Sequence, residues 1–109
     1  MVLVSRTVGE KRVVDEMIVT MTHDREVPWI LPGLRPPASG RRLEVAVLAV
    51  VRFVDGLITH EHLWWDQASV LVQLGLLDPT GLPVTGAQQA QTVQDPTRPR
   101  NQLLGDSVE

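Results

Sequence analysis

The fold is decided by residues 52–77, which have the sequence RFVDGLITHEHLWWDQASVLVQLGLL. The dipeptide Asp55-Gly56 within this stretch is a strong signal for a two-residue turn between antiparallel strands. The residues before the turn, Arg41–Phe53, alternate apolar side chains along one face, as a strand does. The residues after it, Leu57–Trp65, carry bulky apolar groups on both faces. This pattern predicts a β-hairpin whose second strand is covered on both sides.

A short helix and two further strands complete the predicted architecture. Asp66 is a preferred N-cap residue and precedes a predicted helix over Gln67–Leu74. Val2–Val8 is rich in β-branched residues and Arg12–Thr22 alternates, so both are predicted to be strands. His23–Gly40 is a long loop, and loops of this length usually line or cover a site. The order of these elements predicts an α+β fold with an antiparallel sheet and few helices.

Composition divides the chain into two parts. Residues 1–77 contain all three Trp, the single Phe and all three His, whereas residues 78–109 are rich in Pro, Gly, Gln and Asp. We therefore predict a folded domain over 1–77 and an extended or partly disordered tail over 78–109. A short helix over residues 86–93 is the alternative within this tail.

Charge and residue content exclude several classes of protein. The chain has 109 residues, with ten Lys and Arg against thirteen Asp and Glu, and its formal net charge is −3. This mild acidity gives no electrostatic footprint for nucleic acid. The absence of Cys excludes disulfides, a thiol nucleophile and a Cys-based zinc site. No signal-peptide pattern occurs, and no apolar run approaches the ~20 residues of a membrane span, so we expect a cytoplasmic protein without membrane contact.

Four segments together resemble one known family. They are RVVDE at 12–16, PWILPG at 28–33, GRRLEV at 40–45 and, as the most specific, residues 52–77. A strand, an Asp-Gly turn, a return strand ending in Asp and a helix reaching Gln-Leu-Gly are typical of the SnoaL-like polyketide-cyclase branch of the nuclear-transport-factor-2-like superfamily. The resemblance covers residues 14–77 and implies a curved antiparallel sheet that forms a cone-shaped half-barrel.

The N-terminal part of the chain departs from this family. Its members usually begin with two or more helices that pack across the concave face of the sheet. Here a strand follows Met1 almost immediately, so either those helices lie upstream of Met1 or the fold is a shortened form. In the second case we expect the concave face to be uncovered unless a partner chain or the tail fills it. Since a monomer does not tolerate an exposed apolar face of that size, we predict a homodimer formed through the sheet face and the final helix.

The resemblance implies a pocket for a small hydrophobic molecule of polyketide or lactone type. It also implies general acid/base chemistry without a cofactor, as in a cyclase or isomerase. In the resembling cyclases an Asp toward this end of the chain is the general acid/base, which makes Asp66 the first catalytic candidate. Its alternative role is the N-cap of the final helix. A non-catalytic module for ligand binding or dimerisation is the alternative function.

Two histidines and two glutamates are the other catalytic candidates. His60 and His62 share a strand face, where they either wall a pocket or, with a third ligand such as His23, bind a metal. The resemblance argues against a metal. Glu16 and Glu44 lie on apolar strand faces, so each needs a partner or a polar cavity. The histidines of the adjacent strand are the predicted partners, either for proton abstraction or as a structural polar cluster.

Aromatic and aliphatic side chains supply the predicted pocket wall. Trp64 shares a face with His62 and is suited to walling a pocket for a planar ligand. Trp29 lies in the Pro-rich loop and is predicted to be a lid residue over the pocket mouth. Ile18 and Leu48 share faces with the two glutamates and complete the predicted wall. Core packing is the alternative role of the tryptophans.

Overall fold

A tight turn at Asp55 and Gly56 sets the hairpin of the sheet, because both residues have positive φ angles, 52° and 76°, as a two-residue type I′ turn requires. The computed structural model describes residues 1–33 and 36–97. Its elements are β1 Val2–Val8, β2 Arg12–Thr22, β3 Arg42–Val54, β4 Leu57–Trp65, α1 Gln67–Gln73 and α2 Gln88–Gln94. The strands form an antiparallel sheet in the order β1-β2-β3-β4. The predicted α+β class, a curved antiparallel sheet with few helices, is confirmed. The prediction that β4 is covered on both sides is wrong, because β4 lies at the edge of the described sheet and is exposed at every residue except Trp65.

The central strand β3 is apolar along one face and in the middle of the other. Leu43, Val45 and Val47 lie on one face, which we call the core face, and none is more than 4% exposed. Ala46 and Leu48 lie on the opposite face, which we call the cavity face. Since side chains alternate along a strand, neither face of β3 is the usual solvated polar one. Both faces therefore need a cover.

The core face is covered by α1 and by the long loop after β2. Val70 and Leu74, at the end of α1, are 0% and 4% exposed and belong to the core cluster of β3. Ile30 and Leu31 of the loop are equally buried in this cluster. The loop that was expected to line or cover a site thus supplies two of its residues to the hydrophobic core.

A single side chain attaches α1 to the edge of β3. Within the described sheet, β4 pairs with β3 only from Val47 onward, so the backbone of Glu44 has no strand partner on that side. The side chain of Gln73 in α1 supplies the hydrogen bonds that a neighbouring strand would otherwise make. Its Oε1 accepts a hydrogen bond from the Glu44 N–H at 2.8 Å, and its Nε2 donates to the Glu44 carbonyl at 2.8 Å. Because unpaired backbone groups are costly in a protein interior, this amide determines where α1 lies.

The ends of the long loop are joined at His23. The backbone of His23 donates to the Arg41 carbonyl at 2.8 Å and accepts from Gly40 N–H at 2.9 Å. Its ring is 2% exposed, and its Nδ1 accepts from Ser39 N–H at 3.3 Å. This ring nitrogen therefore helps to close the loop, and among the described residues His23 is not grouped with His60 and His62, so the alternative of His23 as a third ligand beside them is not supported.

The helix α2 lies within the region expected to be a tail. Its Ala90 is 1% exposed, and α2 packs against β3. The segment before it is fixed to α1 by a hydrogen bond of 2.6 Å from the Ser69 hydroxyl to the Gly86 carbonyl. The part of the expected tail that packs against the domain therefore lies within residues 84–93, while residues 98–109 lie outside the described residues. Neither described helix has the length and apolarity to cross a membrane.

An ion pair joins β1 to β2. The guanidinium of Arg6 donates two hydrogen bonds to the carboxylate of Asp15, at 2.8 and 2.9 Å. Asp15 is only 9% exposed although it stands on a sheet face. The hydrogen bond from Arg6 lowers the pKa of Asp15 below its usual value, and the same contact raises the pKa of Arg6. This pair holds the exposed strand β1 on the sheet.

We expect Asp15→Asn to destabilise the protein near neutral pH and to matter less as the solution becomes acidic. Because the folded-state pKa is lowered, the stabilisation is complete above the unfolded carboxyl pKa of ~3.9 and is lost as the pH falls through the lower folded value. Chemical denaturation of both proteins between about pH 7 and about pH 2.5 measures this. Asp24→Asn, which breaks an exposed pair with Arg25, is the control and should change little. A stability difference that stays constant over this range would contradict the role of the pair.

Candidate ligand-binding site

A cavity of about 370 Å³ lies between the cavity face of the sheet and α2. Its lining residues are Glu16, Met17, Ala46, Val47, Leu48, Trp64, Trp65, Asp66 and Val93. The middle strands form the floor, the end of β4 and the start of α1 form one side, and α2 contributes Val93. Four of the nine residues predicted from the sequence meet here, and they are Asp66, Glu16, Trp64 and Leu48.

Strand register explains why these side chains converge. Glu16 of β2 lies opposite Leu48 of β3, and Leu48 lies opposite Trp64 of β4. The three side chains therefore form one rung across the cavity face. Leu48 is 39% exposed and Trp64 is 52% exposed, so both present apolar surface to the open part of the cavity. Such surface beside a carboxylate suits an organic ligand.

Asp66 has two roles in the structure. Its Oδ1 accepts a hydrogen bond of 3.3 Å from the Ser69 N–H, which makes it the side-chain N-cap of α1. The same residue lines the cavity. The cap predicted from the sequence is confirmed, and the carboxyl group also stands beside Trp64 and Trp65 in the cavity wall.

Glu16 is held by the neighbouring strand. Its Oε1 accepts a hydrogen bond of 2.6 Å from the Ser5 hydroxyl of β1. The predicted histidine partner is therefore wrong for Glu16, because β3 separates β2 from β4 in the sheet. Ser5 leaves the second carboxylate oxygen available on the cavity face, where Glu16 and Asp66 are the two carboxylates of one cavity wall.

The two histidines lie next to this cavity. His60, His62 and Trp64 follow one another along β4, with ring centroids 6.4 Å apart for the first pair and 5.7 Å apart for the second. The histidines line a second cavity of about 450 Å³ together with Arg12, Val50 and Arg52. Among residues 1–33 and 36–97, no three His, Asp or Glu side chains are grouped as a metal site requires.

Glu44 lies away from both cavities. Its backbone pairs with Thr20 of β2 and with the side chain of Gln73, and its carboxylate lies 3.4 Å from Arg42 Nε. The predicted pairing of Glu44 with His60 or His62 is wrong, because β4 pairs with β3 only beyond this point. The structure thus places Glu44 at the attachment of α1 to the sheet.

Two predicted wall residues also lie elsewhere. Ile18 is on the cavity face but is fully buried, and it is not among the residues that line the cavity. Trp29 packs edge-to-face on Trp65 with ring centroids 5.8 Å apart, so it contacts the outer side of the wall and does not cover the mouth. Trp65 is fixed further by a hydrogen bond of 2.7 Å from its Nε1 to Gln67.

The sequence interpretation missed Val93 and the two arginines. Val93 belongs to the spacing Ala87, Ala90, Val93, which is typical of one helix face and was available as a signal. Arg12 and Arg52 stand opposite each other only through the register of β2 with β3. Nothing in their separate positions in the sequence indicates this contact.

Two solved structures are similar to the chain. TsrD from Streptomyces laurentii is 25% identical, with a TM-score of 0.58, and the match covers 70% of this chain and 52% of TsrD. AclR from Streptomyces galilaeus, described as "a putative hydroxylase", is 31% identical, with a TM-score of 0.54, and the match covers 68% of this chain and 51% of AclR. The chain therefore spans about half the length of these proteins. No protein-family model and no curated protein matches it. The structural likeness is consistent with a nuclear-transport-factor-2-like fold.

Proposed function

We propose that the protein binds a small hydrophobic organic molecule in the cavity between the sheet and α2. The observation that carries this proposal is the wall itself, in which Leu48, Trp64 and Val93 surround the carboxylates Glu16 and Asp66. Ligand pockets are typically apolar with a few placed polar groups, and they start at about 300 Å³. The cavity of about 370 Å³ has both properties.

The exposed indole of Trp64 favours a planar ligand. Aromatic rings stack or pack edge-to-face with flat molecules, and a half-exposed indole in a cavity wall offers such a surface. The likeness to AclR, which is described as "a putative hydroxylase", supports an organic ligand, since a hydroxylase acts on an organic substrate. The resemblance to SnoaL-like cyclases supports a ligand of polyketide or lactone type.

Acid/base catalysis without a cofactor is the second candidate function. Glu16 and Asp66 line one apolar cavity, which places a proton acceptor beside any carbonyl compound bound there. A carboxylate in that position takes a proton from the carbon next to the carbonyl and returns it elsewhere, which is the step of a cyclase or isomerase. The N-cap hydrogen bond occupies part of the accepting capacity of Asp66, so simple binding remains the leading proposal.

A second copy of the chain is the proposed protein partner. β4 is an edge strand of the described sheet, and its Leu57, Ile58 and Leu63 are 70%, 61% and 40% exposed. The apolar surface continues past α1 at Leu76, which is 40% exposed. An exposed edge with apolar side chains favours pairing with another chain. A homodimer through this surface of β4 and the neighbouring end of α1 covers it and leaves the cavity face accessible.

Ligand binding is tested by a charge placed in the cavity wall. We expect Leu48→Glu to weaken the binding of naphthyl methyl ketone by at least about tenfold, because the ligand then buries an unpaired carboxylate. Quenching of Trp fluorescence measures the affinity, since Trp64 and Trp65 line the cavity. Leu82→Glu is the matched control: Leu82 is 46% exposed against 39% for Leu48, but it is not among the residues that line the cavity. Equal affinities for both variants would contradict the proposed site.

Catalysis is tested separately at Asp66. We expect Asp66→Asn to keep the N-cap and the fold but to slow exchange of the ketone's α-protons in heavy water by ~100-fold or more, as loss of a general base does. Proton NMR of the bound ketone measures the exchange. Asp66→Ala should in addition lose ~1 kcal/mol of stability, because Ala cannot cap α1. Unchanged exchange in Asp66→Asn would remove Asp66 as the base.

The dimer is tested by light scattering. We expect a dimer at micromolar concentration and a monomer for Ile58→Lys, because a desolvated ammonium group opposes association. His62→Lys is the control, because His62 lies opposite Val50 on the cavity face, and it should leave the dimer intact. A monomeric unsubstituted protein would show that the proposed partner is wrong.

A further inference from the structure

Three basic side chains form one rung across the cavity face, at the end of the sheet away from Asp66. Arg12 of β2 lies directly opposite Arg52 of β3, and Arg52 lies directly opposite His60 of β4. We call these three residues the basic rung. Like charges placed directly opposite each other destabilise a sheet. A bound group of opposite charge would offset this repulsion.

No described carboxylate neutralises the basic rung. The ion pairs among residues 1–33 and 36–97 are Arg6 with Asp15, Arg25 with Asp24, and Arg42 with Glu44, and none includes a member of the rung. Among the described residues, no ion pair therefore offsets the repulsion within the basic rung.

The acidic residues nearest in sequence do not reverse the positive charge. Glu10 and Lys11 line a smaller cavity beside Arg12 and Arg52, where their charges balance each other. Glu61 lies opposite Val51, on the other face of the sheet. Glu16 stands four residues along β2 from Arg12, ~13 Å away, and is bonded to Ser5. Asp55 lies in the turn, three residues beyond Arg52, and the ion pairs of the described residues do not join it to the basic rung.

The basic rung and the apolar cavity share one face of the sheet. Arg12, Arg52 and His60 line the cavity of about 450 Å³ together with Val50 and His62. His62 is in edge-to-face contact with Trp64, which lines the apolar cavity. From Leu48 to Arg52 the distance along β3 is four residues, ~13 Å. The cavity face is thus apolar at one end and cationic at the other.

We propose that the basic rung binds the oxyanion of an amphipathic small molecule, a carboxylate or a phosphate, whose apolar body lies in the cavity of about 370 Å³. Guanidinium groups match the planar, bidentate geometry of carboxylate and phosphate oxygens, and an imidazole N–H adds a further donor. The anion replaces the missing counter-charge between Arg12 and Arg52. For the apolar body of the ligand, this inference rests on the proposed function, whereas the anion site rests on the rung alone.

Isothermal titration calorimetry of the full chain tests the inference with four probes below their micelle-forming concentrations. Decanoate and decyl phosphate carry the oxyanion on a chain about as long as the path from Leu48 to Arg52, and they distinguish a carboxylate from a phosphate. Decanol has the same chain without charge, and inorganic phosphate has the charge without the chain. We expect decanoate or decyl phosphate to bind at least about tenfold more tightly than decanol, as charged hydrogen bonds predict.

Substitutions of Arg12 and Arg52 test whether the basic rung causes the tighter binding of the anionic probes. We expect Arg52→Gln and, independently, Arg12→Gln to weaken the binding of the better anion about tenfold while leaving decanol unchanged. Arg42→Gln is the matched control, because Arg42 is an exposed arginine on the same face of β3 at its other end. Circular dichroism checks that each variant is folded.

The outcomes separate the two proposals. Equal affinity for decanoate, decyl phosphate and decanol, or anion binding that neither rung variant weakens, overturns the anion site and leaves the apolar cavity intact. Anion binding that depends on Arg52, with no binding of decanol and no gain from the alkyl chain over inorganic phosphate, supports the anion site and overturns the apolar ligand of the proposed function.

Discussion

The structure depends on one constraint: β3 is apolar along its core face and also, at Ala46 and Leu48, on its cavity face, and a four-stranded sheet covers neither of these surfaces. On the core face the apolar side chains of β3 are covered by α1 and by Ile30 and Leu31 of the long loop. On the cavity face Ile18 is buried, whereas Leu48 stays open in the cavity that it lines together with Val93 of α2. Each face of such a strand must be removed from water, since apolar surface is the main contribution to stability. The open part of the cavity face is where ligand binding is expected.

Much of the fold could be predicted because its signals are local. Alternation predicts the strands, the Asp55-Gly56 turn predicts the hairpin, and Asp66 predicts the start of α1 within a residue or two. The packing of the loop and of α2 could not be predicted, because short apolar segments such as Ile30-Leu31 carry no period that assigns them to a core. Their burial is a property of the assembled sheet.

The candidate site shows the same division. Glu16, Leu48 and Trp64 lie on one rung, which alternation within each strand allows but only the register determines. The predicted contact of Glu44 with the histidines is wrong for the same reason, since β4 pairs with β3 only from Val47 onward. Arg12 and Arg52 were missed because residues forty positions apart in sequence become neighbours only through pairing. The sequence thus indicated which residues were candidates for the site, but not which of them become neighbours across the strands.

Asp66 gives the cavity a mechanical link to the rest of the fold. Its carboxyl group holds the first turn of α1 and at the same time forms part of the cavity wall. A molecule that competed for those oxygens would weaken the N-cap of α1. Since α1 also carries Gln73, which is bonded to the backbone of β3, one short helix joins the cavity wall to the edge of the sheet.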